Sequence, residues 1–284
     1  MIEAKVIADS ISNYGFRITT VQLIYHRFIH GELLTHRAFS RSSMSSRAIP
    51  VAKMIEQVRN APAMPLHWGL NQPGMGARSE LGPVEMEQAK ALWLSAAENA
   101  ARTAEAMNQI NLAKQVANRV LEPFQWMRTV VTATEWDNFF ELRCHPDAQP
   151  EFQALALEVR NAMGESKPVP RAYQAANAGW HLPYVTEEER VNTQSVMGSD
   201  ELEASWLLAK VSSARCARVS YNRHDNTAPS LDDDMALFER LAGSRPLHAS
   251  PLEHSALAAS PQTRSGNLRG WDQFRTIYGE TIGA

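Results

Sequence analysis

From His26 to Arg47 the chain reads HRFIHGELLTHRAFSRSSMSSR, which packs three His, four Arg and five Ser around a single acid, Glu32. Arg37, Ser40, Arg41, Ser43, Ser45 and Arg47 recur there among small residues. Guanidinium groups make bidentate contacts to phosphate, and hydroxyls and backbone N–H groups fill the remaining acceptor sites. The segment is therefore a candidate anion cradle, with a solvated basic loop as the plainer alternative. It carries no Walker-type glycine pattern, which argues against an ATP-hydrolysing loop. Arg119 in ANRVLEP and Arg143 in NFFELRCHP stand in apolar surroundings beside proline-marked boundaries. Each fits either a ligand contact or a snorkelling surface side chain. Residues 248–254 read HASPLEH, without the HExxH spacing of a helical zinc site, so no metal is expected. His254 suits a satisfied structural histidine as well as a functional one.

The elements that must position these residues are legible in part. Residues 2–8 alternate loosely and, with Phe16 to Tyr25, predict two strands joined by the turn Ser12-Asn13-Tyr14-Gly15. A helix is expected after Gly82-Pro83, with Glu85 and Glu87 in its first turn and a stripe of Ala89, Leu92, Ala96, Ala100, Ala104 and Met107. The polar run Asn108-Gln109-Ile110-Asn111 should split the segment up to Glu122 into two helices, the second ended or kinked by Pro123. Pro150 suits a helix start, and Phe152, Leu155, Val159 and Met163 follow at helical spacing. Residues 164–200, rich in Pro, Gly, Ser and Glu, read as a long connection. Ser230 and Asp233 form a capping-box pattern for a helix that Gly243 would close. A last amphipathic segment places Trp271, Phe274 and Tyr278 on one side.

The bulk composition sets limits. The 284 residues, 44% hydrophobic and 21% charged, suit one large domain or two small ones. A net charge of −3 offers no basic face for duplex nucleic acid, although a single nucleotide needs only a few arginines. Two cysteines, Cys144 and Cys216, are too few for a disulfide framework or a Cys-based zinc site. No apolar run approaches the roughly 20 residues of a membrane span, and the start MIEAKVIADS lacks a signal-peptide core. The expectation is a soluble, cytoplasmic protein with no membrane partner.

Together these segments resemble the flavin-dependent thymidylate synthases. That family's signature RHRxxSxNExSxR is similar to THRAFSRSSMSSR at residues 35–47, with His36, Arg37, Ser40, Ser45 and Arg47 matching. Thr35 replaces the first Arg, Ser42 the Asn and Ser43 the Glu, and Glu32 stands where the family has Gln. The family's AR-x-x-LP helix looks like residues 117–123 with one residue shifted. Its N-F-L-x-L-R block looks like Asn138-Phe139-Phe140-Glu141-Leu142-Arg143, followed by Ala148-Gln149-Pro150-Glu151. ARVS and GHxSPxEH correspond to Ala217-Arg218-Val219-Ser220 and to residues 248–254. In the usual order those two blocks come first; here they come last, as in a circular permutant. Permutation is tolerated where chain ends lie close on the surface.

The resemblance implies an α/β (α+β) fold with a mixed sheet and long helices. It implies one domain over residues 1–284, in which 164–210 connect the permuted halves. It also implies a homotetramer with active sites shared between subunits. The implied activity is that of a methyltransferase: FAD, reduced by NADPH, takes part in moving a one-carbon unit from methylene-tetrahydrofolate to C5 of dUMP, giving dTMP. The alternatives are a related enzyme that leaves a hydroxymethyl group, and an inactive nucleotide-binding homologue. Carried over residue by residue, His36, Arg37, Asn138, Ser250 and Glu253 would lie on the flavin. Ser45, Ser46, Arg47 and Arg119 would hold the nucleotide, Arg143 would face the pyrimidine, and His248 would position substrate or exclude water.

Overall fold

A computed structural model describes all residues except 74, 75, 77, 78, 174–177, 199, 222–228, 245, 246, 283 and 284; the side chains of Ser220, Tyr221 and Ile282 also lie outside the description. Strands β1 (Glu3–Ser12) and β2 (Arg17–His26) form the expected antiparallel hairpin. In its turn Gly15 N–H donates to Ser12 O, and Gly15 takes φ 82°, a conformation that costs glycine least. The chain then passes through a 3-10 turn at Arg27–Ile29 into α1 (His30–Leu33), β3 (Ser40–Ser43), α2 (Val51–Asn60) and the long α3 (Pro83–Gln109).

Pro83 and Asn111, the latter at φ 60°, frame α3 as its sequence suggests. Its buried face does not follow the expected stripe. Ala97, Ala101 and Ala104 are buried, with Trp93, Ala100 and Met107 packed beside them, whereas Leu92 and Ala96 are exposed. The indole of Trp93 meets Phe124 edge-on, and covering that larger ring rotates the helix so that Leu92 faces water.

Helix α4 (Lys114–Ala117) runs into a 3-10 helix, Asn118–Phe124, that contains Pro123. Strand β4 (Trp126–Ala133), α5 (Asp137–Arg143) and α6 (Pro150–Glu165) follow, and α6 buries Phe152, Leu155, Val159 and Met163 as expected. The expectation of a long connection over residues 164–200 is corrected. That stretch holds β5 (Val169–Arg171), β6 (Trp180–His181) and α7 (Glu187–Met197), the last opened by a capping box of Thr186 and Glu189. Helix α8 (Glu201–Tyr221) comes next, then α9 (Leu231–Ala242), opened by the Ser230–Asp233 capping box and closed at Gly243. A 3-10 helix at Ser250–Glu253 leads to β7 (Ala256–Ala258), β8 (Arg264–Ser265), β9 (Leu268–Arg269), β10 (Trp271–Gln273) and α10 (Phe274–Ile282). Trp271 belongs to a strand, so only Phe274 and Tyr278 of that expected stripe share a helical face.

The central sheet has the order β3-β4-β2-β1-β5, antiparallel throughout except for β5 alongside β1. Alternation along β2 and β4 sends Val21, Leu23, Tyr25 and Val131 to one face, where Phe39, Phe139 and the apolar side of α6 close the main core. The opposite face carries Thr20, Thr132, Ser40 and Ser42 beneath the small sheet β10-β7-β6 and helix α8. Separate apolar clusters join α8, α9 and α10 through Leu208, Phe238 and Phe274, and α2, α3 and the 3-10 helix at Asn118–Phe124 through Val58, Ala101 and Leu121. The result is a mixed α/β fold. No helix among the described residues is long and apolar enough to cross a membrane.

Candidate functional site

The Ser/Arg segment is divided by the pleat of β3. Ser40 and Ser42 point to one face: Ser40 Oγ donates to Asn267 Oδ1 (3.0 Å), and Ser42 Oγ bonds His254 Nε2 (3.0 Å). On the other face Ser43 Oγ accepts from Thr129, and Arg41 Nη1 lies 2.8–3.3 Å from the carbonyls of Leu33, Leu34 and His36. Arg41 thus satisfies the open end of α1 and fixes the turn that presents His36 and Arg37. This corrects the regular cradle: the middle of the segment, Ser40 to Ser43, binds the protein itself.

His254 anchors the 248–254 block onto β3. Its Nδ1 bonds Thr132 Oγ1 (2.8 Å), which bonds Thr20 Oγ1 (2.6 Å), then His181 Nε2 (2.8 Å), whose Nδ1 meets Ser10 Oγ (2.9 Å). This buried chain satisfies both imidazoles, so His254 takes the structural reading. Burial lowers His254 to about 3, and burial together with neighbouring arginines lowers His30 and His36 to about 4. The unfolded chain, with ordinary histidines near 6.5, takes up protons first as pH falls. The stability these groups contribute is therefore complete above that value and is lost as pH falls towards 4. Urea midpoints across this window should fall steadily with acid, and less steeply in His254→Gln. A flat profile would refute the assignment.

Four of the expected residues meet at one place. His36, Arg37, Asn138 and Arg143 line a cavity of about 340 Å³ walled by Phe39 and Phe139. Helix α5 carries Asn138 and Arg143 one turn and a half apart, and the turn before β3 supplies His36 and Arg37. Arg143 is immobilised: Nε donates to His36 Nε2 (3.0 Å), Nη1 donates to Glu32 Oε2 (2.9 Å), and the guanidinium lies 4.5 Å from the centre of the Phe152 ring. His36, accepting at Nε2, is neutral and packs against Phe39 and Phe139. Arg37 and Asn138 are exposed and make no side-chain hydrogen bond among the described residues. A fixed cation, free amide and guanidinium donors and an aromatic wall suit a flat ring system with polar edges.

The other expected residues fall into separate groups. Asn118 Nδ2 donates to the carbonyls of Ser46 and Ile49 (2.9 and 3.0 Å), bringing Ser45, Ser46 and Arg47 beside the 3-10 turn that bears Arg119. Arg119 is itself exposed and paired with Glu122 (2.8 Å). Ser250 and Glu253 sit on the 3-10 helix beside β3. The Glu253 carboxylate pairs with Arg275 of α10, and its carbonyl accepts from Gln273 Nε2 (3.2 Å). His248 is exposed and bonded through its backbone N–H to Leu241 O (3.2 Å). Ser250, Glu253 and His248 do not line the 340 Å³ cavity. A second concavity of about 320 Å³ lies by Arg275, Gln273 and Thr276. Arg218 of the ARVS-like block pairs with the buried Asp234 (2.6 Å), and the Ser220 side chain of that block lies outside the described residues.

The sequence reading missed the structural use of Arg41, the pairing of Arg275 with Glu253, and the ion pair made by Glu32. Glu32 had one signal, its place as the only acid in a basic segment. Arg41 reaches carbonyls five to eight residues away and Arg275 reaches Glu253 across 22, and no short motif marks either contact.

Residues 15–169 match the family model described as thymidylate synthase complementing protein. No curated protein matches the chain. Among solved structures, the fold is similar to that of PolB, a UMP/dUMP methylase from Streptomyces cacaoi. The structure bound with 5-Br UMP is 17% identical with a TM-score of 0.50, covering 58% of this chain and 89% of that one. The structure bound with 5-Br dUMP is 16% identical with a TM-score of 0.50, covering 58% and 90%.

Proposed function

The chain belongs to the thymidylate synthase complementing protein family, and from that premise we propose that it modifies C5 of dUMP in a flavin-dependent reaction. The proposed one-carbon donor is methylene-tetrahydrofolate, the reductant NADPH, and the product dTMP. The observation that carries this reading is the immobilised Arg143 on the wall of a cavity that Arg37 and Asn138, without side-chain hydrogen bonds among the described residues, also line.

These residues fit a flavin: Phe39 and Phe139 offer an apolar wall, while Arg37 and Asn138 offer donors to polar ring edges. When bound, the reduced flavin supplies the reducing equivalents, so no Cys nucleophile is needed. Arg143 stays protonated at any working pH, so its part is electrostatic: it donates hydrogen bonds where negative charge builds at N3 and O2 of the pyrimidine. Neutral His36 holds the guanidinium plane from one side and Glu32 from the other. In this reading Ser45, Ser46, Arg47 and Arg119 hold the phosphate and sugar. The pair between Arg119 and Glu122 is exposed enough for a phosphate to displace the carboxylate.

The cavity of one chain is small for a dinucleotide cofactor, which supports a site completed by a second subunit of a homotetramer. The order of the blocks supports a circular permutant, with residues 164–210 as the connection. Anaerobic incubation with FAD, NADPH, methylene-tetrahydrofolate and dUMP, followed by mass analysis of the nucleotide, should find a methyl group added. A hydroxymethyl product would move the assignment to the related enzyme, and an unchanged nucleotide in a flavin-loaded protein would refute the activity. Dilution should also lower flavin affinity as subunits part. A stable monomer with full flavin occupancy would overturn the shared site.

A further inference from the structure

Arg171 ends β5 and Arg190 stands one turn into α7, and both side chains are nearly buried, at 11% and 7% exposure. They converge on one oxygen. Glu187 Oε1 lies 2.6 Å from Arg171 Nη2 and 3.5 Å from Arg190 Nε, while Arg190 Nη2 donates to the carbonyl of Trp180 in β6 (3.1 Å). The buried Arg171 Nε, Arg190 Nε and Arg190 Nη1 have no hydrogen-bond partner among the described residues. A buried donor left unmade is costly, and more so on a charged group. The charge is unbalanced as well, because two guanidiniums share one carboxylate that is itself 65% exposed. Burial and the neighbouring Arg171 lower Arg190 to about 10. Of the other acids in that turn, Glu189 is spent on Arg215 and on the Thr186 N–H, and Glu188 is exposed. His181 of β6, kept neutral by burial and by both arginines, adds no compensating charge.

We propose that Arg171 and Arg190 form a binding site for a small tetrahedral dianion, phosphate or sulfate, at the point where Glu187 Oε1 meets both guanidiniums. Guanidinium groups pair with oxyanions through two N–H donors at once, which gives the unmade donors their partners. A dianion neutralises both cations in full, where one carboxylate neutralises half of their charge. Glu187 can yield its place, since an ion pair with an exposed partner is worth little. The arginines, buried among β5, β6 and α7, stay where they are. Their free N–H groups lie beneath the surface, which suits a free ion and not the phosphate end of a larger molecule. The bound ion ties the β5 edge of the central sheet to the small sheet and to α7. This site is independent of the uridylate reading above.

The test follows thermal unfolding of the full chain in sodium chloride, sulfate, phosphate and glycerol 3-phosphate at matched ionic strength. Wild type, Glu187→Gln and Arg171→Gln are compared. Sulfate and phosphate should raise the wild-type midpoint along a saturating curve, because an ion held only by the folded state stabilises it. Glycerol 3-phosphate should show no such saturation. Glu187→Gln, which changes an exposed side chain, should melt lower in chloride. Its half-saturating sulfate concentration should fall on the order of fivefold, the upper end of what an exposed carboxylate contributes to an ion pair. Arg171→Gln should keep only the general, non-saturating effect that sulfate has on any protein. Equal sulfate curves in wild type and Glu187→Gln would mean that water satisfies the arginines and any ion is adventitious, and would overturn the site. A saturating effect that survives unchanged in Arg171→Gln would overturn it too. Stabilisation by glycerol 3-phosphate equal to that by phosphate would overturn the assignment to a free ion.

Discussion

Arg143→Ala will slow turnover about a hundredfold, a loss on the order of 3 kcal/mol of transition-state stabilisation, while flavin affinity changes little. Uracil C5 becomes nucleophilic only as negative charge gathers around N3 and O2, and a guanidinium already fixed by His36 and Glu32 need not reorganise to meet it. Arg143→Lys should restore little, since an ammonium cannot keep contact with Glu32 and His36 and also present donors in one plane. Single-turnover oxidation of reduced flavin in the presence of dUMP, with flavin occupancy measured on the same sample, reads the two quantities separately. If Arg143 only ties α5 to α1, the variant will be slightly less stable and will turn over at the wild-type rate per folded molecule.

Asp234→Ala will cost about 3–5 kcal/mol of stability, the usual penalty for removing one partner of a buried ion pair. The melting temperature should fall on the order of 10 °C. Asp234 is fully buried and accepts from Arg215 Nε (2.8 Å) and from Arg218 Nε and Nη2 (3.1 and 2.6 Å). Arg215 continues to Glu189 (2.6 and 2.9 Å) and to the carbonyl of Tyr184 (2.7 Å), so Asp234 ties α9 to α8 and Arg215 carries the network on to the start of α7. Its loss leaves two mostly buried cations without their shared partner. The midpoint of thermal unfolding, taken at constant flavin occupancy, measures the effect. A shift of only a degree or so would mean that Arg218 is held elsewhere and is free to serve a ligand.

Short windows of sequence were enough for the elements whose signals are local. Ser230 and Asp233 cap α9 because a side chain three residues away can reach the free N–H groups of its first turn. Phe152, Leu155, Val159 and Met163 share a face because the helix repeats every 3.6 residues, whatever packs on it. The same local logic was available at Thr186 and Glu189, but the Pro, Gly and Ser around them masked a helix start as a connection. On α3, periodicity allowed a stripe through Leu92 as readily as one through Trp93, and only the ring of Phe124 decided between them.

The motif residues themselves, His36, Arg37, Asn138 and Arg143, were legible as types at given spacings, and the match over residues 15–169 agrees with that family reading. Their partners were not. Glu32 reaches Arg143 across 111 residues of chain, and Ser42 reaches His254 across 212. The first contact exists because the fold brings Arg143 of α5 beside Glu32 of α1, the second because the 248–254 block packs on the hydroxyl-bearing face of β3. Which serines of SRSS turn inward was fixed by pairing with β4: Ser40 stands opposite Thr132 and Ser43 opposite Thr129, and a slip of one residue would have reversed their faces. Sequence by itself determined what chemistry the side chains could offer, because that is a property of each residue. Only the tertiary structure decided which of them are consumed by the protein and which are left for a ligand, because hydrogen bonds and ion pairs depend on distances that register and packing set.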